Sequence, residues 1–210
     1  MLAARQGGSV SARAARAQLL ELARSLDGVG MTTHPERYLE LVGGGETRGR
    51  AVELAQCSGC ALVVRGMWRS LGLTHPILRT PYRTGRAVAD LVEIALDSGA
   101  LVDARDELPT IYLGDVVIVG GPGYGGPEHV WTVLDETAQD YPSEDTALLV
   151  GLDGGQRDEH GRQVIRVRQH EVRGVPPVDD GRRVRWVIDF GAVWRRWGRA
   201  AAGAYEGAPG

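Results

Sequence analysis

Apolar residues recur at helical spacing through the first half of the chain and at alternating spacing through the second. Ser11 to Leu26 reads as a helix with Leu19, Leu22, Ala23 and Leu26 on one face and arginines elsewhere, ended by Gly28 and Gly30. His34-Pro35-Glu36 leads into a short helix over Tyr38 to Val42, and Gly43-Gly44-Gly45 breaks it. From Gln56 to Leu71, the positions Cys60, Val64, Met67, Trp68 and Leu71 form a stripe down one side of a core helix. A further helix spans Arg86 to Ser98, with Val88, Leu91, Val92, Ala95 and Leu96 inward and Gly99 as its cap. The pattern then changes to short strands at Tyr112 to Val119, His129 to Leu134, Ala147 to Leu152, Gln163 to Val172 and Arg183 to Phe190. Helices first and strands afterwards predict an α+β domain, its N-terminal helices, the central one included, packed on a C-terminal antiparallel sheet. The boundaries are an N-terminal helical extension over 1–30, the main domain over 31–198 and a flexible tail over 199–210.

Composition narrows this picture. A chain of 210 residues is large enough for one core, and 30 glycines with 10 prolines imply many turns around it. The net charge of -3 argues against a general nucleic-acid binder, and every basic residue is Arg. Two cysteines three positions apart cannot staple a fold of this size, so the thiols are expected to be free. Residues 1–30 hold no apolar run fit for a signal peptide, and no later stretch approaches a membrane span, which predicts a protein made without a leader and cytoplasmic as synthesised.

The candidate chemistry lies on three of these elements. Cys57 falls in the first turn of the Gln56 to Leu71 helix, where free backbone N–H groups and the helix dipole would favour a thiolate. His129 opens a strand directly after the glycine-rich loop Gly120 to Gly126, and shares a face with Trp131 and Val133. The next strand ends in Asp153-Gly154-Gly155-Gln156, read as a hairpin turn, so Asp153 or Gln156 would lie near the far ring nitrogen of His129 and fix its tautomer. The backbone N–H of Cys57, with Gln56 or Ser58 as a side-chain donor, would face an oxyanion.

Cys57-Ser58-Gly59 at a helix start, Gly114-Asp115 before an apolar strand, Glu128-His129-Val130 opening the next, and a polar strand end follow in this order. That order, over about Tyr38 to Val172, resembles the papain-like cell-wall hydrolases of the NlpC and CHAP (cysteine, histidine-dependent amidohydrolase/peptidase) type. The resemblance implies a papain-like fold and a cysteine peptidase or amidase acting on peptidoglycan peptides or another amide. It implies Cys57 as nucleophile, His129 as base, Asp153 or Gln156 as the orienting group, a structural Gly-Asp pair, and neither a cofactor nor a metal. Gln56 stands where NlpC-type members usually carry Asp. The product would be released by lysis, as for a phage lysin, or delivered to the wall.

Two other readings compete. Cys57-Ser58-Gly59-Cys60 matches the C-x-x-C of thiol–disulfide oxidoreductases, whose site follows a strand. A non-catalytic papain-like binding domain would instead use Arg182, Arg183, Arg185, Arg195, Arg196 and Arg199 among Trp186, Trp194 and Trp197 to hold an anionic polymer. The scattered histidines lack metal-ligand spacing.

Overall fold

The computed structural model describes residues 11–82, 85–105, 107–120, 127–135, 146–173 and 183–198, with the backbone alone at 57, 58, 127, 128, 146–148, 171–173 and 183. The expected tail therefore lies outside the described residues, as do 121–126 of the glycine-rich loop. Helices α1 (Ala12–Arg24), α2 (Pro35–Gly43), α3 (Arg48–Ser70) and α4 (Ala87–Asp97) precede most of the strands, with one 3-10 turn at Pro76–Arg79. Strands β1 (Leu101–Asp103), β2 (Val116–Gly120), β3 (Pro127–Asp135), β4 (Thr146–Arg157), β5 (Gln163–Arg173) and β6 (Arg183–Ile188) make one antiparallel sheet in the order β1-β6-β2-β3-β4-β5. Helix α5 (Phe190–Trp197) follows β6. The architecture is mixed α+β, as the two periodicities require.

Helix α3 is the centre of this arrangement, packed on α2, α4, β3 and β4. It starts eight residues earlier than the apolar stripe suggests, from a Thr47 cap whose hydroxyl accepts from the Arg50 N–H. Buried Ala51, Leu54 and Ala55 continue its apolar side, and small side chains had hidden that continuation. Helix α1 belongs to the same core, with Ala15, Leu19, Leu20 and Ala23 buried. The pleat gives the sheet two apolar faces. Val116, Ile118, Val130, Leu152 and Ile188 join the helical core, whereas Val117, Trp131, Val133, Leu149 and Val187 form a second cluster with Ala104 and Ile111.

Buried polar groups tie the layers. Asp115, 1% exposed, accepts from Arg16 at 2.6 Å, from the Tyr112 N–H at 2.9 Å and from the Phe190 N–H at 3.1 Å, joining α1 and the start of α5 to the sheet. The turn made by Gly114, at φ +82°, delays β2 to Val116. Arg65, also 1% exposed, pairs with Asp90 of α4 and donates to the Ile77 and Thr80 carbonyls, so the segment after α3 is held against it. No helix among the described residues is long and apolar enough to cross a membrane.

Candidate functional site

The register of β3 on β4 pairs Trp131 with Asp153, and His129 stands two residues further along. That diagonal is short enough for His129 Nε2 to meet Asp153 Oδ1 at 2.6 Å. Asp153 is fully buried, and its second oxygen lies 3.0 Å from His170 Nε2 across the β4–β5 ladder. This second contact has the distance of an ion pair but not the alignment of a hydrogen bond, and neither Oδ2 nor His170 Nε2 has a hydrogen-bond partner among the described residues. His170 is itself stacked on Trp131, with centroids 4.2 Å apart and planes within 5°. Gly151 makes the stack possible, since a Cβ there would run into the Trp131 ring.

The opposite side of the imidazole meets α3. Gly154 and Gly155 sit where β4 bulges between Asp153 and Gln156, and they bring the strand into backbone contact with Gly59. A Cβ on Gly59 would lie 2.7 Å from the Gly155 Cα. This close crossing brings half-buried Cys60 near enough to His129 to favour the charged form of its ring. Tyr38 of α2 completes the cluster. Its hydroxyl is 3.3 Å from the Cβ position of Gly59 and is buried without a hydrogen-bond partner among the described residues.

The electrostatics follow from these contacts. Burial is the largest influence on His129 and disfavours its charged form, yet the bonds to Asp153 and Cys60 together outweigh it and raise its pKa from 6.5 to about 9. Burial likewise pushes Asp153 up, and its contacts with His129 and His170 overcome that and leave it below the ordinary carboxylate value. Burial, then the proximity of Cys60, raises the Tyr38 hydroxyl well above 10.0, so it stays a proton donor. At neutral pH the centre thus holds a carboxylate, an imidazolium and a phenol around Cys60.

Several sequence-based expectations change here. Cys57 is not in a first turn: it lies roughly two and a half turns into α3, because Thr47 caps the helix and Ala51, Leu54 and Ala55 extend it. The dipole argument does not apply at that depth, and the Cys57 N–H is committed to the helix rather than open to an oxyanion. The side chains of Cys57 and Ser58 lie outside the described residues. Gln56 is exposed and borders a cleft, described below, with Arg157 and Gln163. Of the two orienting candidates Asp153 meets His129, whereas Gln156 accepts from Arg168 at 2.8 Å. Asp153-Gly154-Gly155 is no hairpin turn but an irregular stretch inside β4, which continues to Arg157.

Cys60, Tyr38 and His170 were missed as site residues. Cys60 looked like one more member of an apolar stripe, although Gly59 beside it and Gly154-Gly155 downstream are the glycines a close crossing needs. His170 is reachable from the sequence only once Leu149 is known to pair with it. No sequence signal links Tyr38 to the rest. The element before α3 is α2, not the strand that an oxidoreductase C-x-x-C follows. In the basic cluster, Arg182 and Arg199 lie outside the described residues, Trp194 is buried in the core, and Arg195 approaches Asp189 at 3.6 Å. No family model, curated protein or solved structure matches the chain.

Proposed function

We propose that this protein is a cysteine hydrolase of amide bonds with Cys60 as nucleophile, His129 as acid and base, and Asp153 as the group that fixes His129. The single observation that carries the reading is a His129 ring held by fully buried Asp153 at 2.6 Å, with Cys60 of α3 near enough to favour its charged form. Because Nε2 is held by Asp153, Nδ1 is the nitrogen left for Cys60, and in the reactive form the Sγ proton already rests on it, so that a thiolate faces the protonated imidazole. The sulfur then adds to the amide carbonyl carbon. His129 returns the proton to the departing amine as the carbon–nitrogen bond breaks, and water releases the acyl group from sulfur as a carboxylic acid. Tyr38, with its unpaired hydroxyl beside Gly59, is positioned to donate to the developing oxyanion, a role typically worth ~3 kcal/mol of barrier. Peptidoglycan peptides are the substrate class that the resemblance to the NlpC and CHAP hydrolases suggests.

The test compares Cys60→Ser and Cys57→Ser on peptidoglycan fragments and on iodoacetamide. Loss of hydrolysis and of the fast-reacting thiol in Cys60→Ser, with both kept in Cys57→Ser, supports the assignment. The reverse pattern returns the nucleophile to Cys57, and hydrolysis that survives both substitutions refutes thiol catalysis altogether.

A further inference from the structure

A cleft of about 420 Å³ opens between the N-terminal half of α3 and the hairpin that joins β4 to β5. Its volume falls in the ordinary range for a small-ligand site. Val52 and Gln56 supply the helical wall, Met31 and Gln163 another, and Arg157 and Arg162 the hairpin wall. Val52, Gln56 and Cys60 are spaced by four, so they follow one ridge of α3, and Gln56 stands about 6 Å from Cys60. The cleft is therefore the continuation of the proposed site by one helical turn.

Its charge is one-sided. Among the described residues Arg157 is engaged only by donating to the Gly161 carbonyl at 2.7 Å, and the Arg162 guanidinium has no partner. Asp158, in the same hairpin, is occupied elsewhere, since it accepts from the Thr32 hydroxyl at 2.6 Å and from the His160 and Arg162 N–H groups at 2.9 and 2.8 Å. No acidic side chain lines the cleft. Gln163 is 8% exposed, and its Oε1 is buried without a hydrogen-bond partner among the described residues. The wall that bears it is built rather than incidental, because Met31 donates to the Gln163 carbonyl at 2.8 Å and Gly30 bridges to Val164. Two guanidinium groups and an unsatisfied carboxamide oxygen match a ligand with a carboxylate and an amide N–H.

We propose that this cleft is a subsite for a carboxylate-bearing residue of the substrate, held by Arg157 and Arg162 next to the bond presented to Cys60. The inference rests on the hydrolase reading and adds a substrate class to it: acidic peptides in preference to neutral ones. One residue of extended chain spans ~3.5 Å, so a side-chain carboxylate one position from the scissile amide reaches the arginines.

Two thiol labels separate this inference from the reading beneath it. N-iodoacetyl-glutamic acid α-amide and N-iodoacetyl-glutamine α-amide differ in one charge, and both alkylate Cys60 by displacing iodide in a Cys57→Ser background. The acidic label is expected to react about tenfold faster at low salt, a factor set by its saturation constant, as one charge-assisted contact at an exposed arginine implies. Arg157→Gln/Arg162→Gln brings the ratio to about one. Arg162→Glu, which leaves the Arg157 bond to Gly161 in place, inverts it. Equal rates in the wild type, or a preference that survives the double substitution, overturn the proposal. The pH profile of the neutral label reports on Cys60 and His129 alone. An ordinary thiol profile with an intact acid preference therefore refutes the hydrolase and leaves the anion site standing.

Discussion

Replacing Asp153 by Asn tests the electrostatic core of the site with almost no change of shape. In the wild type the bonds to Asp153 and Cys60 prevail over burial and lift His129 from 6.5 to about 9. One pKa unit corresponds to 1.36 kcal/mol, so this displacement amounts to roughly 3 kcal/mol of stability. The sign follows from the direction. A group raised on folding binds its proton more tightly in the native state, so its contribution is complete below 6.5 and is lost as pH rises through 9. Between pH 7 and pH 10 the wild type should lose roughly 2.5 kcal/mol from this group alone. In Asp153→Asn the burial that disfavours the imidazolium remains and only Cys60 is left to oppose it, so His129 should titrate well below 9 and most of that loss should vanish.

Two assays read the prediction. The C2–H resonance of His129, assigned with a His129→Gln variant, gives the titration directly. Denaturant midpoints of wild type and Asp153→Asn at pH 7 and pH 10 give the energetic difference, with all other titrating groups common to both chains. The stability gap between the two proteins should narrow by about 1–2.5 kcal/mol from pH 7 to pH 10. A wild-type His129 that titrates near 6.5, or a gap that does not change with pH, refutes the reasoning.

Other expectations concern the scaffold that presents the site. Gly59→Ala places a Cβ 2.7 Å from the Gly155 Cα, where backbone meets backbone, and should cost about 1–3 kcal/mol while slowing Cys60 alkylation. Gly49→Ala, in the same helix with nothing within 4 Å of its Cβ, should instead stabilise by up to about 1 kcal/mol; urea midpoints of the two variants read the opposite signs. Asp90→Ala leaves the buried Arg65 guanidinium without its carboxylate and should cost about 3–5 kcal/mol, whereas Arg65→Met/Asp90→Ala should recover most of that loss in thermal unfolding.

The division into helices and strands was legible because it rests on spacing alone. The structural role of Gly114-Asp115 came only from the resemblance, and Asp115 does gather structural donors, from Tyr112, Phe190 and Arg16. A partner for His129 at Asp153 or Gln156 was legible if the two strands are neighbours, and the short diagonal of their register selects Asp153. What escaped depends on contacts between elements far apart in the chain. The start of α3 is set by a threonine cap and by alanines that carry little hydrophobic signal, and the proposal of Cys60 over Cys57 rests on where β4 crosses the helix. Strand periodicity stopped at Leu152 because glycines interrupt alternation, yet those glycines are what allow β4 to continue past the helix.

The position of Cys60 deep within α3 has a consequence for how the thiol would be activated. At a helix start, free N–H groups and the dipole share the work of holding a thiolate and, later, an oxyanion. In the fourth turn both are absent, since every backbone N–H there is bonded to the preceding turn. The stabilising charge must then come from side chains, and His129 is the cation within reach, itself held by the fully buried anion of Asp153. An oxyanion has only the Tyr38 hydroxyl beside Gly59 to turn to, among the donors described. Activity in such a site should be more sensitive to His129 and Tyr38 than in one built on a helix terminus, because no backbone donors remain to supply a residual rate when either side chain is removed.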